Sequence, residues 1–132
     1  MIIYEVIGNP VPWAASRTNG KFHYNPKHKE QLEVILKLKA QFNHLPINTA
    51  MKMDVTFYMP IPKSISEKKK YEMLSGRVHH IKKPDRTNML KFIEDCFEKA
   101  GIISNDSHIV GGESMKIYGL VPKTIIRIQP LD

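Results

Sequence analysis

Residues 51–59 read Met-Lys-Met-Asp-Val-Thr-Phe-Tyr-Met, so that Met51, Met53, Val55, Phe57 and Met59 alternate with Lys52, Asp54, Thr56 and Tyr58. A period of two held over this length puts every apolar side chain on one face of a β-strand. Such a strand needs sheet neighbours at its edges and an apolar layer on one side, which commits the chain to a layered fold with the strand at its centre. The methionine column could also suggest a metal or haem site. On a strand it reads as core packing, because Met fills irregular gaps. Pro60 and Pro62 close the strand.

The flanking segments read as follows. Met1 to Gly8 forms a short strand, ended by Gly8-Asn9-Pro10. Pro10, Pro12 and Gly20 mark a loop carrying Arg17 and Lys21. Pro26 opens a helix running to about Phe42, with Ile35, Leu38 and Phe42 on one face. Ser64 to Leu74 reads as a polar helix bearing Lys68-Lys69-Lys70, and Gly76 ends it. Arg77 to Lys83 is extended and basic. A helix follows from about Thr87 to Ala100, stopped by Gly101. Two further strands, His108–Tyr118 and Lys123–Gln129, are expected to form a hairpin around Gly119–Pro122. No repeat or linker interrupts the chain. The order implies one small α+β domain over residues 1–132, with helices packed on a mixed β-sheet.

Charge narrows the partners. Twenty Lys and Arg against 13 Asp and Glu give a net charge of +7, which favours polyanions: nucleic acid first, an anionic membrane surface second. Ordinary solubility is the alternative. Cys96 is the only cysteine, which excludes an internal disulfide and a zinc site of several cysteines. Its apolar surroundings, Phe92-Ile93 and Phe97, predict a buried thiol rather than a nucleophile. No apolar run is long enough to span a bilayer and no signal pattern opens the chain, so a cytoplasmic location is expected.

The chemistry-bearing residues cluster between His80 and Tyr118. Pro84-Asp85-Arg86-Thr87-Asn88-Met89-Leu90-Lys91 puts an acid and an amide at the mouth of a helix, with a lysine two turns on. Asp106 follows on a tight turn before a strand. Two carboxylates on separate elements, with a lysine between them and positive charge around, suit metal-assisted attack on a phosphodiester. At about 100° per residue, Asn88, Lys91 and Asp95 share one sector of the helix, and Leu90, Ile93, Phe97 and Ala100 share an apolar one facing the core. The competing reading makes Asn88 a helix cap and Lys91–Asp95 an i,i+4 surface pair worth about a few tenths of a kcal/mol. His80 and His108 flank the two acids without the spacing of a histidine metal site. They either shape the site and contact phosphate or are plain surface residues. Trp13 reads as core packing, with stacking on a base as the alternative.

The segment resembles the RusA family of Holliday-junction resolvases, small phage- and prophage-associated endodeoxyribonucleases. The resemblance is carried by Lys83-Pro84-Asp85-Arg86-Thr87-Asn88-Met89-Leu90-Lys91, then Asp95, Asn105-Asp106-Ser107-His108-Ile109 and Lys116-Ile117-Tyr118-Gly119. Gly8-Asn9-Pro10, Arg17 and Tyr24-Asn25-Pro26-Lys27 are similar to the family's opening, and the specific part is confined to residues 82–119.

The resemblance implies a RusA-like homodimer that cleaves four-way DNA junctions in recombination and repair, using Mg²⁺ or Mn²⁺. It implies Asp85 and Asp106 as catalytic and metal-holding acids, close enough to share a cation, and Lys91 as the catalytic lysine. Thr87 stands where the family has its second catalytic aspartate, and Asn105 replaces the first acid of an Asp-Asp pair. Asp95 and Glu113 are the nearest acids to compensate, with Asn88 as a supporting amide. Arg17, Lys82, Lys83 and Lys116 are expected to bind flanking phosphates. The rival reading is a junction-binding protein of the same fold whose cleavage is weakened by Thr87. A third is a basic accessory protein that binds duplex regardless of branching.

Overall fold

The computed structural model describes residues 1–20 and 22–131; Lys21, assigned above to the first loop, lies outside them, as does Asp132. In chain order the elements are β1 (Ile2–Ile7), β2 (Arg17–Asn19), β3 (Phe22–Tyr24), α1 (His28–Gln41), β4 (Met51–Met59), α2 (Glu67–Leu74) and α3 (Arg86–Lys99). A 3-10 turn (Asp106–His108), β5 (Ile109–Gly111), β6 (Ser114–Tyr118) and β7 (Lys123–Pro130) follow. They make one α+β domain with a mixed sheet.

Strand β4 occupies the centre, as its alternation requires. It pairs antiparallel with β7 on one side and parallel with β5 and then β6 on the other, while β1 extends the sheet beyond β7. All five of its apolar side chains are buried, and Asp54, Thr56 and Tyr58 on the opposite face are half-buried. The expected hairpin of the last two strands does not form. β6 and β7 lie on opposite sides of β4, so the Gly119–Pro122 link carries the chain around the end of the central strand. Alternation alone cannot reveal this, since it gives the face of a strand and not its neighbour.

The stretch read as one strand from His108 to Tyr118 is also broken, at Gly112. This residue has φ +132°, and a Cβ built on it would lie 2.0 Å from the Met53 carbonyl oxygen. Only glycine lets the chain cross so close to β4 before β6 begins. The N-terminal loop, for its part, contains a short hairpin of β2 and β3 that the Pro and Gly pattern had hidden.

Helix α3 buries Met89, Phe92, Ile93, Cys96 and Phe97, while Leu90, expected among them, is half-buried at the margin. The apolar stripe is thus rotated from the predicted one, and it centres between Met89 and Ile93. Burial, with the nearby Asp95 carboxylate adding to it, pushes the Cys96 thiol up to about 12, so it stays protonated and inert. Helix α1 begins at His28, just after an Asx turn in which Asn25 Oδ1 accepts from the Lys27 amide at 2.9 Å. Its buried Gln31 joins the two helices: the amide nitrogen donates to Asp95 at 2.6 Å, and the oxygen accepts from Asn25 and Lys99. No helix among the described residues is long and apolar enough to cross a membrane.

Adjacent glycines provide a sharp test of the β5–β6 crossing. Gly112→Ala should destabilise the protein by more than about 2 kcal/mol, from backbone strain plus the clash with β4. Gly111→Ala, whose Cβ would meet only Lys52 Cγ at 4.0 Å, should be near neutral. Urea unfolding of the two variants separates these outcomes.

Candidate active site

Asp85 occupies the N-cap position of α3, yet its side chain makes no capping hydrogen bond. An N-cap aspartate ordinarily accepts from the first-turn amides; here the carboxylate is exposed and left to other partners. The backbone around it is tied to β6 from both sides. Lys116 Nζ donates to the Lys82 carbonyl at 2.6 Å and to the Pro84 carbonyl at 3.0 Å. Arg86 donates to the carbonyl and hydroxyl of Ser114. Lys116, expected to meet phosphate, is therefore engaged in fixing the loop that presents Asp85. Lys82 and Lys83 remain exposed beside the unsatisfied amides of the helix mouth, a combination that suits an anion.

The N-terminal loop folds over this end of the helix. The Trp13 amide donates to the Asn88 carbonyl at 2.9 Å, and Lys91 Nζ sits 3.5 Å from the centroid of the Trp13 ring. Between loop and helix lies a cavity of about 550 Å³. Pro10, Pro12, Trp13, Met59 and Pro60 form its apolar wall, and Asn9, His80, Lys83, Asp85 and Asn88 supply polar groups. His80 is only 9% exposed, packs edge-on against Tyr118 and leaves its Nδ1 buried with no partner. Burial first, then the charges of Lys116 and Lys82, hold its pKa below the usual histidine value, so the ring is neutral at physiological pH.

Asp106 meets a different turn of α3. The Asn105 side chain accepts from the Ser107 amide and so shapes the turn, and the Asp106 amide donates to Glu98 Oε2 at 3.1 Å. Burial, reinforced by the Asp106 charge, raises the pKa of Glu94 one turn earlier. Asp106 is absent from the lining of the Asp85 cavity, and Glu98 lies on the order of 20 Å along the axis from Asp85 at 1.5 Å per residue. The two acids thus address α3 at its mouth and at its last turn, and do not meet at one cation site as the resemblance led us to expect. Among the described residues, no group of three or more His, Cys, Asp or Glu side chains is arranged to hold a metal ion.

The other candidates are dispersed. Asp95 points to α1, bonded to Gln31 and paired with Lys99 at 3.2 Å. Glu113 is exposed on the β5–β6 link, its amide donating to Asp54. Thr87 is exposed, Asn88 is half-buried in the cavity wall, and Arg17 lies exposed on β2. The Nδ1 of His108 is buried without a partner, like that of His80.

This arrangement coincides with a family match. The model of the endodeoxyribonuclease RusA family matches residues 8–129. The chain belongs to that family. It is also similar to the uncharacterized protein YqaN of Bacillus subtilis (strain 168), with 31% identity across 99% of this chain and 97% of that protein.

In this RusA-family chain the acids passed over from sequence are Glu94 and Glu98. At about 100° per residue, Thr87, Lys91, Glu94 and Glu98 fall within about 60° of one another on α3. That stripe was legible on the same wheel that singled out Asn88 and Asp95.

The buried neutral His80 predicts an acid-sensitive fold. Because its folded pKa lies below 6.5, the unfolded chain takes up the proton first, and stability should fall as pH drops below about 6.5. In His80→Gln this component should vanish in thermal melts between pH 7.5 and 5.5. Glu94 acts with the opposite sign: its raised pKa means stability is lost as pH rises above 4.5. Glu94→Gln should accordingly melt higher than wild type at neutral pH without divalent metal.

Proposed function

We propose that the protein is a structure-selective endodeoxyribonuclease that resolves four-way DNA junctions as a homodimer, with Mg²⁺ or Mn²⁺ as cofactor. The observation that carries this reading is the uncapped Asp85 carboxylate at a basic helix mouth, inside the segment matched by the RusA family. The donor set suits a hard cation. Glu94 and Asp106 are carboxylates near enough to repel, and a divalent cation relieves that repulsion. Magnesium is held by one or two carboxylates together with water and substrate phosphate, so three protein ligands are not required. Asp106 with Glu94 are the residues that would hold it, while Asp85 stands apart at the helix mouth beside the phosphate-binding amides. When bound, the cation supplies Lewis-acid polarisation of the phosphate and an acidified water.

The chain's own groups do the rest. Lys82 and Lys83 attract the backbone, and the first-turn amides of α3 orient a phosphate oxygen. Lys91 swings from the Trp13 ring to the scissile phosphate, where its charge stabilises the transition state. Glu94 is the acid best situated to offset Thr87, since it shares that residue's face and lies near enough to Asp106 to feel its charge, whereas Asp95 is held by Gln31 and Lys99.

The homodimer is supported by the uncovered face of the sheet. Register puts Ile3, Ile7, Ile125, Tyr58, Met115 and Ile117 on the side opposite the helices. Ile3, Ile7 and Met115 are at least half exposed, apolar side chains set among Glu5, Lys123 and Arg127 on a mixed face that a second copy would cover. Ile117→Glu should shift the protein to monomer by light scattering, and junction affinity should fall with it.

The deciding experiment incubates the protein with a labelled four-way junction and Mg²⁺ or Mn²⁺ and looks for paired nicks. Asp85→Asn and Asp106→Asn should each lower nicking by at least about 10²-fold and keep junction binding, since phosphate contacts survive. Thr87→Asp should raise Mg²⁺-dependent cleavage. Binding without nicking in wild type, unrescued by Thr87→Asp, would instead mark a junction-binding module. Equal affinity for linear duplex would mark a general DNA-binding protein.

A further inference from the structure

We propose that the cavity between the N-terminal loop and the mouth of α3 receives a single unstacked nucleobase of the DNA, next to the phosphate presented to Asp85. The proposal rests on the nuclease reading above and extends it to a base-binding subsite. Its volume of about 550 Å³ falls within the range of small-molecule pockets and suits a nucleotide. One wall is flat and apolar, formed by Trp13 with Pro10, Pro12 and Met59. The opposing chemistry is polar: His80, nine-tenths buried, lines the cavity with its Nδ1 enclosed in the protein. The Asn88 side chain lies in the same wall.

A nucleobase provides a face to stack on the indole and a polar edge to meet Asn88. A phosphate alone would leave the apolar wall uncovered, and an aliphatic side chain would offer Asn88 no hydrogen bond. Lys83 at the rim is suited to the backbone of that nucleotide, and Asp85 in the same lining keeps the base beside the cleavage point. The indole is braced in advance. Its backbone is bonded to Asn88, and Lys91, which does not line the cavity, holds the ring by a cation–π contact. Bases at a branch point are already easily unstacked, so filling the pocket there costs least.

Trp13 is the only tryptophan, so its emission reports on the cavity directly. Wild-type protein is titrated with a four-way junction in EDTA, and again with junctions carrying an abasic nucleotide at successive positions around the cut. The expected result is saturable quenching by the intact junction. One abasic position should abolish the quenching and weaken binding about 5- to 150-fold, as loss of one base–aromatic stack implies. Trp13→Ala, its fold checked by melting, should lose a similar factor on the intact junction and no longer distinguish the abasic one; Trp13→Phe should retain the distinction. If wild type binds and nicks junctions while its emission and affinity ignore every abasic position, the subsite is refuted and the nuclease reading stands. If it neither binds nor nicks junctions, the nuclease reading fails and the subsite with it. Emission that changes with protein concentration in the absence of DNA overturns the proposal in favour of a second copy filling the cavity.

Discussion

The parallel pairing of β4 with β5 and β6 governs where everything else can be. Two parallel neighbours cannot be joined by a tight turn; the chain must travel back over a face of the sheet, and a helix is the usual vehicle. Between β4 and β5 that return journey is α2 and α3, so the Asp85 segment is part of the connection itself. Only the face bearing Met51, Met53, Val55, Phe57 and Met59 is apolar enough to receive α3. Helix α3 therefore starts near the carboxyl ends of the two longer parallel strands, where Met59 and Pro60 share a cavity with Asp85. Open α/β sheets place ligands outside the carboxyl ends of their parallel strands for the same geometric reason. The protein obtains that arrangement from one crossover in a largely antiparallel sheet.

The central strand, the three helices and the inert cysteine were legible because each is a local pattern: period two, an apolar stripe, a glycine stop. The pairing of β6 and β7 was not, because the Gly119–Pro122 segment has the composition of a hairpin turn and only tertiary packing inserts β4 between its flanking strands. Gly112 was visible as a glycine but not as a crossing, since its contact partner, Met53, lies 59 residues away in sequence. At the site, residue types led to Asp85, Lys91 and Asp106. What those side chains do required partners from distant elements. Asp95 is claimed by Gln31 of α1, Lys116 by carbonyls before Asp85, and Lys91 by the ring of Trp13.

These captures share a logic of charge. A chain with seven excess positive charges gains little from one more ammonium in solvent, while two of its lysines are fixed by weak acceptors, carbonyl oxygens and an indole face. The two acceptor types differ in reversibility. Lys116 is half-buried with two carbonyl bonds, and breaking them would release the loop before Asp85. The ammonium of Lys91 is exposed, and its cation–π contact is worth about 0.5–1 kcal/mol at such a site, small beside a charge-assisted bond to phosphate. Lys116 is thus a fixed strut, and Lys91 a cation parked near its proposed target that an arriving phosphate can take over.

The same reasoning bears on Thr87. A helix returns to nearly the same face after seven residues, so Glu94 shares the face of Thr87 about 10 Å further along, on the Asp106 side of that stripe. Glu94 lies under the turn that carries Asp106, with burial and that neighbouring charge both opposing its ionisation. A carboxylate kept there lowers stability near neutral pH, and packing alone would favour an amide or an apolar side chain. Local choices that work against stability are expected where function, rather than the fold, selects the residue. On the nuclease reading, a divalent cation removes the penalty by giving both carboxylates a common partner, so the same repulsion that weakens the free protein would strengthen its hold on the metal.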